Sequence, residues 1–382
     1  MLRVLHLGKF YPPDNGGIES VTAALARGAA AAGMATTVLC FEELGRGDAQ
    51  DGPVTVRRVR AIKIASQPLC HAYLRQATRL AREADIVHVH LPNMLAAWAV
   101  TQIGAGPRVV LHWHSDVVGK GVLAHLSRPL ERAMLRRADK VICTSQAYAD
   151  ASLPLRPFAA KVVVVPIGVA EPEAPVRNGA AVTPSGLPTR LQSHLEGRPL
   201  VLAVGRLVPY KGFAVLIDAA ARLETDAAVV IVGGGPMQAE LHRRIEAAGV
   251  DQRVMLAGRV DEATLAVLLR QASLFCMPSI ERSEAFGVAL VEALARGLAV
   301  VATRIPGSGV PWVNSDGETG INVEPGQPEA LAQAIDCLLR DSGLRERMGQ
   351  GARKRYEDHF TLERSTQAVL TLYRKLTTID GS

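Results

Sequence analysis

The sequence predicts an α/β protein built from two doubly wound parallel sheets in tandem. Short runs rich in β-branched residues alternate with Ala-, Leu- and Arg-rich runs of helical spacing along most of the 382 residues. A Pro- and Gly-rich stretch at 170–198 interrupts this alternation, which then starts again. Alternation of this kind is typical of parallel sheets covered by helices, and the length suits two domains.

Seven strands are predicted before the interruption and six after it. They lie at residues 3–8, 35–41, 55–59, 86–90, 108–114, 140–145 and 162–166, and then at 199–205, 227–235, 253–258, 273–279, 298–303 and 320–325. Glycines follow several of these strands, and ligands of doubly wound folds bind beyond the carboxyl ends of the strands. The segment 344–376 is predicted to form two helices.

The composition is that of an ordinary globular protein with a basic balance. It is 48% hydrophobic and 21% charged, with a formal net charge of +6. This charge favours anionic partners such as phosphates, sugar nucleotides, acidic lipids or nucleic acid. Aromatic residues make up only 4% of the chain, which leaves few platforms for base stacking, so we expect no nucleic-acid partner.

Cysteine usage and hydropathy bear on the compartment. Five widely separated cysteines form no CxxC pair, so we expect neither a zinc site nor a disulfide framework, and a reducing compartment suits them. The first residues are expected to form a strand and a loop, not a signal peptide. The longest uncharged stretch, 91–107, contains Pro, Asn, Gln and Gly, and we interpret it as a loop and a buried helix. A cytoplasmic protein is therefore expected.

Two loops that follow predicted strands have the features of anion sites. Gly16 and Gly17 precede a helix expected to start near residue 18, so their N–H groups could approach a phosphate, although a tight turn explains them equally well. Arg206 and Lys211 flank a loop before another predicted helix. Two cations there suit a diphosphate, although two solvated surface cations are the alternative.

A glycine-rich turn at 233–235 also follows a strand. A GxGxxG motif starting there would need glycine at position 238, where Gln238 stands, and no GxxxxGK[ST] motif occurs in the chain. We therefore expect neither a dinucleotide site of that type nor a P-loop.

The segment HWHSD at 112–116 follows a strand of the first half. His112 and His114 alternate on that strand, so their side chains share one face. No third ligand with suitable spacing is evident for a metal ion. Hydrogen bonding in a cleft and burial as satisfied core histidines both remain open.

The most specific segment is RSEAFGVALVEALARG, residues 282–297. A Phe-Gly break precedes a predicted helix of about eight to ten residues, whose first N–H groups could receive an anion. Glu292 lies on this helix among apolar residues, one turn beyond Val288 and on the same face. It needs hydrogen-bond donors, which the hydroxyls of a ribose would supply. An ion pair with Arg296, four residues on, is the alternative.

Together, Gly16-Gly17, Arg206 with Lys211, and the Glu284-x7-Glu292 element resemble the retaining glycosyltransferases of family GT4. The resemblance spans nearly the whole chain and implies the GT-B fold, with two Rossmann-like domains and a cleft between them. It implies an acceptor-side domain at 1–169, completed by a returning helix at 361–382, a linker at 170–198, and a nucleotide-sugar domain at 199–360.

The resemblance also implies a donor site. Its residues are Gly16, Gly17, Arg206, Lys211, Glu284, Ala285, Phe286, Gly287, Val288 and Glu292. In this assignment Arg206 and Lys211 neutralise the leaving diphosphate, and Glu292 binds the ribose hydroxyls. Glu284 and the main chain of residues 286–288 hold the donor sugar.

His114 matches the family histidine near the donor sugar, so the implied catalytic residues are His114, Glu284, Arg206 and Lys211. Asp116 and Lys120 are candidates on the acceptor side. The usual proposal for the family is a front-face reaction in which the leaving phosphate helps to deprotonate the acceptor. That chemistry needs no bound metal and no cofactor beyond the donor itself, and electrostatic stabilisation of the diphosphate is its main contribution.

Donor and acceptor follow from the same resemblance. The segments at 112–120 and 305–320 look most like those of bacterial enzymes of surface-polysaccharide and O-antigen synthesis, which use GDP-mannose or GDP-rhamnose, while some relatives use UDP-sugars. A saccharide or an undecaprenyl-diphosphate-linked saccharide is the implied acceptor. The basic segments 63–82 and 128–140 could rest on the anionic inner face of the plasma membrane, or they are ordinary surface helices.

Two other classes of function remain as alternatives. A sugar-nucleotide epimerase of the GT-B type would share the diphosphate site, but it would need additional acid and base carboxylates, and we identify none in the sequence. A non-catalytic nucleotide-binding module would not need the full set of Arg206, Lys211, Glu284, Glu292 and His114.

Overall fold

A computed structural model describes residues 1–13, 16–42, 47–64, 67–116, 122–172 and 187–378, with the backbone alone at 62–64, 67–69 and 122–127. The strands are β1 (Arg3–Leu7), β2 (Ala35–Glu42), β3 (Ala49–Asp51), β4 (Val54–Arg60), β5 (Ile62–Ile64), β6 (Gln67–Leu69), β7 (Ile86–Leu91), β8 (Arg108–Trp113), β9 (Lys140–Cys143), β10 (Val162–Val164), β11 (Leu200–Val204), β12 (Ala228–Val232), β13 (Val254–Gly258), β14 (Leu274–Met277), β15 (Val300–Thr303) and β16 (Gly320–Val323).

Helices connect most of these strands. They are α1 (Gly17–Ala31), α2 (His71–Ala81), α3 (Met94–Gln102), α4 (Val122–Arg137), α5 (Gln146–Ala151), α6 (Thr189–Leu195), α7 (Phe213–Ala220), α8 (Gln238–Ala248), α9 (Glu262–Gln271), α10 (Val288–Ala295), α11 (Val310–Val313), α12 (Pro328–Arg340), α13 (Ser342–His359) and α14 (Leu362–Thr378). None of the described helices combines the length and the apolar character that crossing a membrane requires.

The chain divides into two compact units, Met1–Gly168 with Leu362–Ser382, and Val169–Thr361. These boundaries lie one residue from the predicted divisions at 169 and 361. Residues 173–186, at the centre of the predicted linker, lie outside the described residues. The end of the predicted linker range forms α6, which packs Leu191 and Leu195 into the second unit.

The first unit contains an eight-stranded sheet in the order β10-β9-β8-β7-β1-β2-β4-β3. All its pairs are parallel except β3 with β4. Its central strands are buried on both faces, because helices cover both sides of a doubly wound sheet. The last helix, α14, packs on α1 at Gly28, where a Cβ would lie 2.3 Å from Cγ2 of Thr366.

The second unit contains a fully parallel six-stranded sheet in the order β13-β12-β11-β14-β15-β16. The order reverses between β11 and β14, and the predicted donor-site residues of this unit, at 206–211 and 284–292, follow these two strands. Such a reversal point is where doubly wound folds bind ligands.

All thirteen predicted strands are present, with ends within three residues of the predicted ones. The sequence missed β3, β5 and β6. Each of these has only three residues, and β5 and β6 form a separate antiparallel pair, so none contains a hydrophobic run long enough to predict a strand.

Candidate active site

The loop after β11 places Lys211 next to the segment that follows β14. A short 3-10 turn, Pro209–Lys211, ends at Gly212. This glycine has a φ of 68° and directly precedes the first residue of α7. A Cβ on Gly212 would lie 1.9 Å from the carbonyl oxygen of Pro278, so only glycine allows the two loops to approach this closely. Lys211 therefore faces the segment that contains Glu284.

Lys211 and Glu284 form a buried ion pair. The Lys211 Nζ lies 2.5 Å from Oε2 of Glu284, and the two side chains are 14% and 9% exposed. The Ser279 hydroxyl donates a second hydrogen bond, 2.9 Å long, to the same oxygen. Burial alone would lower the pKa of Lys211, but the Glu284 carboxylate outweighs it and raises that pKa, so the ammonium is charged at neutral pH.

The segment from Glu284 to Val288 leads into α10, and its first three side chains, at residues 284–286, are buried. Phe286 is buried and packs against Trp312 and Phe360, with ring centroids 6.2 and 5.9 Å away. Gly287 has a φ of 91°, no side chain caps the helix, and a Cβ there would lie 2.9 Å from the sulfur of Met277. The arrangement is that of a helix start whose N–H groups can approach an anion.

Glu292 lies one turn into α10 and is only partly exposed. Burial raises the pKa of its carboxyl group, and the nearby Arg296 partly opposes this effect. The Arg296 guanidinium donates to the main-chain oxygen of Glu292, at 3.0 Å, and not to the carboxylate. Among the residues that the structure describes, the carboxylate forms no hydrogen bond and no ion pair. The alternative, an ion pair with Arg296, is therefore not formed in this structure, although the Arg296 guanidinium lies near enough to favour the charged carboxylate.

The glycine turn after β12 supports the loop that carries Arg206. A Cβ on Gly233 would lie 1.9 Å from the oxygen of Gly205, and one on Gly235 would lie 2.4 Å from that of Leu207. These glycines thus allow close packing of two loops. Arg206 itself is exposed, and within the described ranges its side chain has no ion-pair partner.

In the first unit, Gly17 begins α1 and Gly16 precedes it with an extended backbone. A Cβ on Gly16 would lie 2.1 Å from Oε2 of Glu19, so the Glu19 carboxylate lies against the predicted anion site. An anion can bind at this helix start only if that carboxylate moves away, which the sequence pattern did not indicate.

His114 belongs to a group of five buried imidazoles, which we call the histidine cluster: His6, His88, His90, His112 and His114. The parallel register of the central strands places His6 beside His88 and His90 beside His112. Burial lowers the pKa of His6 and that of His114 to about 3, and burial together with the neighbouring imidazoles holds the other three pKa values well below the usual range. The cluster is therefore neutral at pH 7.

The sequence missed most of this cluster. It indicated that His112 and His114 share a face but found no third histidine beside them. The signal was present in two H-x-H patterns on adjacent strands, because a parallel register aligns them on one face of the sheet.

The acceptor-side candidates differ in what the structure describes. Asp116 accepts hydrogen bonds from Trp113 Nε1 at 2.8 Å and from the Ser152 hydroxyl at 2.6 Å, so its carboxylate anchors the turn after β8. Lys120 lies outside the described residues.

Comparisons with known proteins agree with this architecture. A family model described as "Glycosyltransferase Family 4" matches residues 15–171, and one described as "Glycosyl transferases group 1" matches residues 190–355. The chain is 31% identical to the O-antigen chain mannosyltransferase C of Escherichia coli, over 98% of this chain and 99% of that protein. It is 33% identical to the D-rhamnosyltransferase WbpZ of Pseudomonas aeruginosa, over 94% and 92%.

Solved structures show the same fold. The sucrose-phosphate synthase of Thermosynechococcus elongatus superposes with a TM-score of 0.80 at 23% identity, over 99% of this chain and 100% of that one. HepE of Anabaena, in complex with UDP and glucose, gives 0.75 at 22% identity, over 98% and 100%. With both halves matched by family models and two relatives aligned over nearly their full length, the chain belongs to family 4 of the glycosyltransferases and has the GT-B fold.

Proposed function

We propose that this glycosyltransferase moves a hexose, with retention of configuration, from GDP-mannose or GDP-rhamnose to a saccharide or an undecaprenyl-diphosphate-linked saccharide in surface-polysaccharide synthesis. A UDP-sugar is the alternative donor. Support for the sugar comes from the names of the two full-length relatives, a mannosyltransferase and a rhamnosyltransferase. Support for UDP comes from the bound ligands of HepE, a more distant neighbour.

The observation that carries the proposal is the contrast between Glu284 and Glu292. Glu284 is paired with Lys211, whereas the partly buried carboxylate of Glu292 accepts no hydrogen bond and forms no ion pair among the described residues. A desolvated carboxylate without a partner costs free energy. The hydroxyls of a donor ribose would supply the missing hydrogen bonds.

The reaction proceeds as follows in this proposal. The bond between the anomeric carbon and the diphosphate oxygen breaks, and a bond from that carbon to an acceptor hydroxyl oxygen forms on the same face. The hydroxyl proton passes to a phosphate oxygen of the departing nucleotide. Arg206 and Lys211 stabilise the negative charge that develops on the diphosphate, and the charged state of Lys211 at neutral pH suits this role.

The donor base is tested by thermal shift with GDP, UDP, ADP and dTDP and their sugars. A ligand at one hundred times its Kd stabilises a protein by about 2.7 kcal/mol, which corresponds to roughly 5–10 °C for a unit of this size. We expect GDP and GDP-mannose to give the largest shifts. A thermal shift confined to UDP compounds would show that the donor is a UDP-sugar and not a GDP-sugar. The absence of a shift with every nucleotide would contradict the proposed function.

The ribose assignment is tested with Glu292→Gln. At neutral pH the substitution removes a desolvated charge, so we expect the Tm of the free protein to stay equal or to rise. Loss of charge-assisted hydrogen bonds should weaken nucleotide binding at least tenfold in calorimetry. Glu246→Gln, on an exposed face of α8, is the matched control and should change neither quantity. Unchanged nucleotide affinity in Glu292→Gln would remove Glu292 from the site.

Retention and independence of metal ions have direct tests. With an α-linked GDP-mannose donor, NMR of the product should show an α-linkage, and a β-linkage would refute retention. Activity should persist after treatment with EDTA, and a loss that Mg²⁺ or Mn²⁺ restores would refute a metal-independent reaction.

We further propose a peripheral contact between the first unit and an anionic membrane on the cytoplasmic side, a compartment that suits five widely separated cysteines without a CxxC pair. Helix α4 exposes Arg128, Arg132 and Arg136 at intervals of four residues, on one face. Each such cation contributes about 1 kcal/mol near an anionic surface. Reversing all three to Glu should therefore reduce binding to vesicles with 30% phosphatidylglycerol by two orders of magnitude or more.

The matched control reverses Arg190, Arg243 and Arg347, three exposed arginines of the second unit, and so changes the net charge equally. An equal loss of vesicle binding in both triple variants would show that only net charge matters, and it would refute the membrane face on α4.

A further inference from the structure

The histidine cluster contains two rows of hydrogen-bonded imidazoles. In the first row, His6 Nδ1 lies 3.1 Å from His90 Nε2, and His90 Nδ1 lies 3.2 Å from His114 Nε2. In the second row, Tyr373 of α14 bonds to His88 Nδ1, and His88 Nε2 lies 3.2 Å from His112 Nδ1. Only the first row includes His114.

The first row has a preferred direction. Each neutral imidazole has one N–H donor and one bare nitrogen, so fixing one tautomer fixes the row. At the His6 end of this row, Nε2 of His6 is buried and has no hydrogen-bond partner in the described part of the chain. Buried N–H groups without an acceptor are rarer in proteins than unpaired acceptors. The bare nitrogen therefore belongs at His6 Nε2, with His6 donating to His90 and His90 donating from Nδ1 to His114 Nε2.

This direction leaves His114 with its hydrogen on Nδ1. Its Nε2 is occupied by His90, and no described residue bonds to Nδ1. His114 then presents one N–H donor, which can bond to an oxygen of a ligand hydroxyl. With the opposite direction, the same atom would be a bare acceptor, and the cluster would bury an unpaired N–H at His6.

A metal ion is the obvious rival, because nitrogen atoms of His88, His90 and His112 all lie within 4.8 Å of one another. The ring planes argue against it. His88 and His90 are stacked, with centroids 4.6 Å apart and planes inclined by only 10°, and the planes of His90 and His112 differ by 25°. The lone pair of a ring nitrogen lies in the plane of its ring, so lone pairs of stacked parallel rings do not converge on one ion at about 2.1 Å.

We propose that His90 is a positioning residue that holds His114 in the tautomer with hydrogen on Nδ1, ready to donate to the donor sugar. The catalytic consequence rests on the proposed function of His114, whereas the tautomer itself does not. His90 does not touch the substrate in this scheme. It acts by occupying Nε2 of His114, and His6 fixes the direction in which His90 donates.

The tautomer is measured by NMR on the full-length protein with ¹⁵N-labelled histidine, because protonated and bare ring nitrogens resonate in separate regions. We expect a protonated Nδ1 and a bare Nε2 for His114 in the unmodified protein, with or without ligand. A protonated Nε2 on His114 would overturn the proposal. So would zinc that stays bound in stoichiometric amount and shifts the signals of His88, His90 and His112 together.

Three variants separate positioning from a structural effect. His90→Asn keeps an N–H donor at the place of Nδ1, His90→Leu removes it, and His88→Leu removes an equally buried imidazole from the second row. We expect a mixture of His114 tautomers only in His90→Leu. Identical His114 spectra in all three variants, or equal disturbance by both leucine variants, would refute the role of His90. If His90→Leu does not fold, the His114 tautomer measured in the unmodified protein and in His90→Asn tests the proposal.

Binding provides the functional readout. In His90→Leu the affinity for GDP-mannose should fall about tenfold, the loss of one hydrogen bond, while the affinity for GDP alone stays unchanged. His90→Asn should restore GDP-mannose binding. Parallel loss of GDP and GDP-mannose binding would indicate a structural effect and refute positioning. If the unmodified protein bound neither GDP nor UDP compounds, the proposed function would fail, and the tautomer would still be decided by NMR.

Discussion

Mild acid should destabilise the first unit far more than the second. The histidine cluster is buried and neutral, with pKa values lowered by burial, whereas an imidazole in the unfolded chain titrates near 6.5. Below pH 6.5 the unfolded state therefore binds more protons than the folded state. Stability falls as the pH falls through 6.5 and continues to fall until the folded imidazoles themselves titrate.

The size of the effect follows from the number of imidazoles. At pH 5.5, one unit below the unfolded pKa, protonation of one unfolded imidazole lowers the unfolding free energy by about 1.4 kcal/mol. For the five members of the cluster the loss is about 7 kcal/mol relative to pH 7.5. Domains of ordinary stability have about 5–15 kcal/mol in total, so the first unit should lose most of its stability.

Hydrogen exchange read by mass spectrometry resolves the two units. After correction for the intrinsic pH dependence of exchange, peptides from β7 and β8 should lose most of their protection between pH 7.5 and 5.5. Peptides from β11 and β12 should change little, because the described part of the second unit has no comparable cluster. His88→Leu should reduce the acid loss by about one fifth. Equal losses in both units, or a loss below about 1 kcal/mol in the first, would show that these imidazoles are not held neutral.

Three further predictions concern the second unit. Lys211→Met and Glu284→Gln should each lower the free energy of unfolding by about 3 kcal/mol, or the Tm by roughly 6–12 °C, because each leaves a buried charge unpaired. The double variant should regain most of that stability, and additive losses would contradict the ion pair. Gly287→Ala should lower Tm, because its φ of 91° strains any other residue, and an unchanged Tm would contradict this backbone. Gly233→Ala should displace the loop at Gly205 and so weaken binding of the nucleotide that gives a thermal shift. Unchanged affinity in a folded variant would show that this loop does not contribute to nucleotide binding.

The fold was predictable because it depends on the hydrophobic periodicity of the sequence and on the order of strands and helices along the chain. Several parallel strands buried on both faces appear in sequence as short, purely apolar runs, and helices alternate with the strands along the chain. The short strands β3 and β5 and the helix α6 were not predictable in the same way. They have three to seven residues and lie among polar residues or prolines, so they are too short for a periodic hydrophobic pattern to identify them.

For the candidate site, the positions of the residues were predictable from the sequence, but their interaction partners were not. The positions of Lys211, Glu284 and Glu292 follow from their places at strand ends and on one helix. Their partners do not, because an ion pair across 73 residues and the Ser279 hydrogen bond depend on how two loops meet. The Glu19 carboxylate against Gly16 is likewise a matter of side-chain placement. The histidine cluster was hidden for a third reason, since its members share a face only once the register of three strands is known.

Glu284 and Glu292 look equivalent in the sequence and are physically opposite in the structure. Glu284 has two partners, so replacing it disturbs Lys211, and a loss of activity in a Glu284 variant cannot be assigned to the sugar alone. The Glu292 carboxylate has no hydrogen bond or ion pair among the described residues, and burial, which Arg296 only partly opposes, makes its charge unfavourable in the free protein. A chain that needed only stability would have an apolar residue at that position. The residue that costs the free protein stability is therefore the sharper indicator of a bound ligand, and the well-satisfied Glu284 is the one whose role must be separated from that of a scaffold.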